Sequence, residues 1–360
     1  MRSTILWSCA GLVACSGESS PGAETGDADS GLSTPLAERS LLEEDPAWVS
    51  SDQGVATGVG FADMDGDGDP DLVVAYGNDI LPGPVVIYLN EGGRLATEPS
   101  WSSARERFHG HLSLGDLNGD GWTDLSVSVF LGDSGWDEPG GIDVYLNRAG
   151  SLESEPSWSA EGFYSFSHAL GDVDLDGDLD LAVAVGEAYY HDPDRSLLFV
   201  NDGSGSLGDE PIWQTEVDRH SFDAAFVDID LDGYLDLAFA NNGSPHTLYL
   251  GGSEGLSTSP DWEAEGESFE GNSLDWGDVD RDGLPDLVIS DNEQLSGDGR
   301  VRVYCGVKLD ICWESQDPSA MQSAVSLEDV DGDGYLELVA GAWRGEGSPA
   351  GSWGHFVRIY

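Results

Sequence analysis

Hydrophobic positions fall in short β-branched runs rather than in helical stripes, as in Leu72-Val-Val-Ala75, Leu125-Ser-Val-Ser128, Leu181-Ala-Val-Ala184 and Leu287-Val-Ile-Ser290. Runs this short, bounded by Gly, Asp and Pro, predict strands. Approaches such as Val59-Gly-Phe-Ala62 read the same way, so the polar stretch lying between approach and run joins two strands.

Those polar stretches repeat. Asp63-Met-Asp-Gly-Asp-Gly-Asp-Pro-Asp71 is followed by five copies beginning at Asp116, Asp172, Asp228, Asp278 and Asp329, spaced 50 to 56 residues apart. Acidic or amide oxygens stand at position 1 (the six residues just named), position 3 (Asp65, Asn118, Asp174, Asp230, Asp280, Asp331), position 5 (Asp67, Asp120, Asp176, Asp232, Asp282, Asp333) and position 9 (Asp71, Asp124, Asp180, Asp236, Asp286, Glu337). Position 6 is always glycine, and position 7 (Asp69, Trp122, Asp178, Tyr234, Leu284, Tyr335) completes the set of candidate ligands. Hard divalent cations take many oxygen ligands, and a glycine turn brings the later oxygens round to the same ion. Ca2+ is the expected occupant, up to six ions per chain. An EF-hand needs a glutamate at position 12 between two helices. Here position 12 is Val74, Val127, Val183, Phe239, Ile289 or Ala340, and the flanks are strands.

Two further markers run in step. A tryptophan precedes each acidic loop by 14 to 16 residues: Trp48, Trp101, Trp158, Trp213, Trp262 and Trp313. After each loop comes an aromatic strand such as Val86-Ile-Tyr-Leu-Asn90, Val144-Tyr-Leu-Asn147 or Leu198-Phe-Val-Asn201. One unit thus reads strand, acidic loop, strand, variable loop, strand, tight turn, strand. Four antiparallel strands per unit of about 50 residues is the blade of a β-propeller. The expected architecture is all-β with six blades. The ring would close where the N-terminal strand around Leu41 to Trp48 joins the C-terminal blade, whose third strand lies around His355 to Tyr360. In the strand before each loop, small residues at one and three positions before the first aspartate (Ala62 and Gly60, Gly171 and Ala169) alternate with large ones (Phe61, Leu170). The period of two predicts small side chains toward the axis and large ones between blades.

The stretch Leu248-Tyr-Leu-Gly-Gly-Ser-Glu-Gly-Leu-Ser-Thr-Ser-Pro-Asp-Trp262, with Gly277-Asp-Val-Asp-Arg-Asp-Gly-Leu-Pro-Asp-Leu287 and Asp329-Val-Asp-Gly-Asp-Gly-Tyr-Leu-Glu-Leu-Val-Ala-Gly341, resembles the FG-GAP (VCBS-type) repeats of integrin α-subunit propellers. The resemblance covers nearly everything from residue 36 on. It implies a calcium-binding propeller used in adhesion or ligand binding, with ligands meeting the face opposite the calcium loops. Two departures stand out: integrin propellers have seven blades, and the Gly-Ala-Pro signature is mostly missing, with Gly341-Ala-Trp343 nearest. On the implied ligand face the candidates are Trp136, Tyr189, Tyr190, Trp343 and Trp353, with Arg105, Arg107, His109, His191, Arg219 and His220 among them.

Charge narrows the partners. The 14 Lys and Arg stand against 69 Asp and Glu, a net of -55. Nucleic acid and anionic lipid surfaces would be repelled, which leaves an extracellular protein or glycan. Residues 1–14, with Arg2 before the apolar Ile5 to Ala14, have the layout of an export signal. Leu12-Val-Ala-Cys15 resembles a bacterial lipobox, so Cys15 is the expected lipidation site, on the outer membrane or cell surface. Residues 15–35 read as an acidic tether and 36–360 as the propeller. In that oxidising setting Cys305 and Cys312, seven apart across a hairpin, can pair. Two other readings stay open: an axial enzyme, a lyase or hydrolase using His111, Asp223, Asp275 and Glu328, and a purely structural envelope protein.

Overall fold

The computed structural model describes residues 48–52, 54–266, 269–292, 299–316, 322–342 and 356–359. The leader, Cys15, the tether, Leu41, Trp343, Trp353 and His355 lie outside them.

Every described element is a strand, in six antiparallel sheets that each follow chain order. The first holds β1 (Ala56–Ala62), β2 (Asp71–Gly77), β3 (Pro82–Tyr88) and β4 (Trp101–Ser102). The second holds β5 (Phe108–Gly115), β6 (Asp124–Gly132), β7 (Gly135–Tyr145) and β8 (Trp158–Glu161). Next come β9 (Ser165–Gly171), β10 (Asp180–Val185), β11 (Leu197–Phe199) and β12 (Trp213–Gln214). The fourth sheet has β13 (His220–Val227), β14 (Asp236–Asn242), β15 (Thr247–Tyr249) and β16 (Trp262–Glu263). The fifth has β17 (Gly271–Gly277), β18 (Asp286–Asp291), β19 (Val301–Cys305) and β20 (Asp310–Glu314). The last contains β21 (Gln322–Glu328), β22 (Glu337–Ala342) and β23 (Phe356–Ile359). Cys305 and Cys312 form a disulfide between β19 and β20.

The chain is an all-β propeller. The second strands β2, β6, β10, β14 and β18 are buried along their whole length; β6, β10, β14 and β18 lie in sheets with a neighbouring sheet on each side. Burial on both faces suits near-continuous apolar runs such as Leu72-Val-Val-Ala75 and Leu181-Ala-Val-Ala184, while in β6 the buried Ser126 and Ser128 are satisfied by His168.

Alternation in the first strands has in part a different meaning from the one the sequence suggests. A Cβ on Gly171 would meet the Phe226 ring of the next sheet at 2.7 Å, and one on Gly277 would meet Leu336 and Leu327 at 2.6 and 3.0 Å. The residue before each acidic loop is therefore small where a large residue of the next blade lies against it. Near the acidic loops the first strand turns its side-chain rows toward the neighbouring blades, while its middle residues line the axial cavity. The expectation that large residues wedge between blades agrees with the packing; of the small ones, Ser113 and Ala225, three positions before their loops, line the axial cavity, whereas Gly171 and Gly277, one position before theirs, face the next blade.

Candidate functional site

In each acidic loop the sequence pattern becomes a fixed set of hydrogen bonds. The position-1 carboxylate accepts the N–H of the position-6 glycine, as Asp63 from Gly68 at 3.0 Å and Asp172 from Gly177 at 3.1 Å. The glycine takes φ between +83° and +101° in all six loops, a conformation that glycine adopts without steric cost. Position 4 is left-handed as well, and there three loops carry Leu175, Leu231 and Arg281 at φ 64°, 59° and 62°.

Position 9 closes the loop. Asp124 accepts the N–H of Leu117 at 2.9 Å through one oxygen and that of Asn147 at 2.6 Å through the other. Asp71, Asp180, Asp236 and Asp286 repeat this arrangement. Glu337 accepts from Val330. Burial pushes the Asp124, Asp180 and Asp236 carboxyls up to about 6, against the pull of their two N–H donors.

The donor set suits a hard cation. In Asp63/Asp65/Asp71, Asp172/Asp174/Asp180, Asp228/Asp230/Asp236 and Asp278/Asp280/Asp282, one oxygen from each carboxylate lies within 4.8 Å of the others. One oxygen of Asp172, Asp278 and Asp329 is buried with no hydrogen-bond donor. An uncompensated buried carboxylate oxygen is costly, and a bound cation would satisfy it. Asp116, Asn118, Asp120, Asp331 and Asp333 hold the same places in their loops, but positions 5 and 7 are engaged locally. The N–H of residue 7 donates to the carboxylate of residue 5, as Trp122 to Asp120, Tyr234 to Asp232, Leu284 to Asp282 and Tyr335 to Asp333. Asp69 and Asp178 do so to Asp67 and Asp176.

Adjacent loops touch. Asn147 sends its side-chain amide to the carbonyl of Met64 in the first loop at 2.7 Å, and Asn201 reaches Leu117 in the second at 2.6 Å. Both donate their backbone N–H to the position-9 aspartate of their own unit. In the fourth and fifth units the equivalent residues are Gly251 and Gly306, which have no side chain to bridge.

At the opposite ends of the strands, the variable loops of the second and third sheets meet in one aromatic cluster. Trp136 stands edge-on to Tyr189 at 5.6 Å, Tyr190 at 5.0 Å and Phe130 at 5.4 Å between centroids. Tyr164 donates its hydroxyl to the Trp136 carbonyl at 3.1 Å and stacks on His191 at 4.5 Å. Glu187 is fully buried beneath, accepting the N–H groups of Tyr189 and Tyr190 and pairing with His191. Tyr190 is 75% exposed. Tyr164 escapes a sequence reading because its contacts with Phe130 and Trp136 form only between sheets, and Glu187 because nothing in the sequence marks this one acid as buried.

Other candidates on this face are corrected. Arg107 is buried and lies within ion-pair range of Asp143 and Glu161, His109 is buried on the Tyr76 carbonyl at 2.8 Å, and Arg219 pairs with Glu263. They hold loops together. At the axis His111, Asp223 and Asp275 line one cavity, and Glu328 is not part of that wall.

A family model described as FG-GAP-like repeat matches residues 63–127 and 228–289. Those two segments are similar to FG-GAP-like repeats. Integrin alpha-7 of Homo sapiens is 31% identical over 173 residues, 43% of this chain, and integrin alpha-3 of Cricetulus griseus is 35% identical over 104 residues, 25% of it. The matched segments span only 14% and 10% of those integrins. Among solved structures, BBS1N in complex with ARL6DN superposes with a TM-score of 0.57 at 15% identity, covering 88% of this chain and 81% of that one. Rhamnogalacturonan lyase YesW superposes with a TM-score of 0.50 at 16% identity, covering 83% and 57%. At such identities the chain shares the propeller fold with them.

Proposed function

We propose that this FG-GAP-like propeller is an exported binding module, stabilised by Ca2+ in its acidic loops, that meets an extracellular protein or glycan through its aromatic face. The observation that carries this reading is the contrast between the two ends of the sheets. At one end, six loops repeat the same hydrogen bonds. Equivalent parts suit a shared structural task. At the other end, Trp136, Tyr164, Tyr189 and Tyr190 form one cluster drawn from two sheets. Large aromatic side chains with polar tips are what binding surfaces use as anchors.

The integrin resemblance supports a binding role outside the cell. Among the described residues no helix is long and apolar enough to cross a membrane, and a lipid on Cys15 is the anchor in this proposal. Ser126 and Ser128 bond both ring nitrogens of His168, and all three are buried. Ser167 donates to Asp223 instead of to a base.

The test is an array of glycans and extracellular proteins probed with the calcium-loaded chain. Trp136→Ala should lose the signal with its melting temperature in calcium preserved. Loss on Asp174→Ala, with Trp136→Ala unaffected, would move the ligand to the acidic face.

A further inference from the structure

The first strands of all six sheets contribute to the wall of one cavity of about 230 Å³. Its wall runs from Ala56–Val59 in β1 to Ala324 and Val325 in β21 and stops short of the strand ends that carry the acidic loops. A dry cavity of about 150 Å³ holds benzene, so this one has room for a ligand of about nine non-hydrogen atoms by the same scale.

Two carboxylates stand in this wall. Asp223 accepts Ser167 Oγ at 2.5 Å and the Leu274 N–H at 2.9 Å, and Asp275 accepts the Leu327 and Trp276 N–H groups, both at 2.8 Å. These bonds aim the carboxylates without neutralising them. One oxygen of Asp223 and both of Asp275 keep a further acceptor position. Among the described residues no Lys or Arg lines the cavity. His111 Nδ1 is 3.9 Å from Asp223, and His168 is committed to Ser126 and Ser128. Asp275, 5% exposed, has no ion pair among the described residues. Burial, together with the charges of Glu328 and Asp223, pushes it up to about 7. The rest of the wall includes Val59, Leu112, Ala224, Leu274 and Val325.

A buried carboxylate with no cation beside it is relieved either by a proton or by an arriving charge partner, and the open cavity in front of Asp223 and Asp275 leaves room for the latter. We propose that the axial cavity binds an ammonium group on a short aliphatic stem, the charge facing Asp223 and Asp275 and the stem against the aliphatic wall. A free alkylamine or the lysine side chain of a partner chain carries this chemistry. The proposal requires neither a particular ion in the acidic loops nor a ligand on the aromatic cluster.

The experiment is calorimetry on the full chain in calcium, titrated with n-butylammonium chloride, with n-butanol, and with a blocked Gly-Lys-Gly peptide beside its Gly-norleucine-Gly control. Butylammonium should bind one per chain, at least tenfold more tightly than butanol. Asp275→Asn should weaken it at least tenfold, about 1.4 kcal/mol. Since that variant alters a buried site, Ala324→Leu, at an exposed position of the wall, gives a second reading by filling the space. Tighter binding of the lysine peptide than of butylammonium identifies a partner's side chain as the source, and the reverse identifies a free amine. Equal binding of butylammonium and butanol, no heat from any probe, or wild-type affinity in both variants overturns the proposal.

Discussion

The indole of Trp101 on the last strand of one sheet stands edge-on to Tyr145 on the third strand of the next, with ring centroids 5.7 Å apart and planes at 81°. Its Nε1–H donates to the carbonyl of Leu152 at 3.0 Å. Trp158 with Phe199, Trp213 with Tyr249 and Trp262 with Tyr304 repeat the contact. Each tryptophan thus belongs to one blade and is seated in the following one.

Trp48 makes this contact on the first sheet, 5.2 Å from Tyr88 at 78°, and donates to the Ala96 carbonyl at 3.2 Å. It therefore holds the place due to the outer strand of a preceding blade. If residues around it close the ring, Trp48→Ala should destabilise about as much as Trp101→Ala, roughly 3 kcal/mol. Denaturant unfolding of the two variants checks this, and a loss below about 0.5 kcal/mol at Trp48, the size of an ordinary surface change, would reject closure there.

Calcium should raise the melting temperature, since an ion that binds only the folded chain adds about 2.7 kcal/mol per site at a hundredfold excess over its dissociation constant. The Asn201 amide lies between the second and third loops. Asn201→Ala should therefore cost about 1 kcal/mol and weaken calcium at both loops while leaving the fourth and fifth unchanged. A calorimetric calcium titration reads this directly. Unaltered affinity at the second loop would show that the loops act independently.

Leu231 is left-handed at φ 59° and 57% exposed, so its side chain brings strain with little burial in return. Leu231→Gly should stabilise the chain by about 1 kcal/mol. A shifted urea midpoint with unchanged slope is the expected signature.

His168 is held neutral by burial, its pKa lowered from 6.5 to about 3. For a base whose folded pKa is depressed, the folded state binds fewer protons than the unfolded state. Stability is then full above 6.5 and falls as the pH drops from there toward 3, by up to about 1.4 kcal/mol per pH unit. His168→Asn, which keeps donors and acceptors for Ser126 and Ser128, should flatten that acid limb relative to the parent. Parallel stability–pH curves for the two chains would contradict the assignment.

Spacing alone was enough to determine the repeat, the strands around each loop and the oxygen-rich positions of those loops. Asp63 and Gly68, or Asp172 and Gly177, are local partners whose turn is encoded within nine residues. The tryptophan marker was equally legible, because the same inter-blade pocket must be filled once per unit. Tertiary structure decided what depends on contact between units. It turned the glycine before the acidic loop toward the neighbouring blade, as Gly171 against Phe226, while Ser113 and Ala225 line the axial cavity. It buried Arg107 and His109, which read as face residues, because short loops fold their charges back onto nearby acids and carbonyls. And it brought Trp136 to Tyr189 and Asp223 to Leu274, 53 and 51 residues apart. Such distances along the chain become neighbours only when separate sheets pack face to face, which no local pattern of residues records.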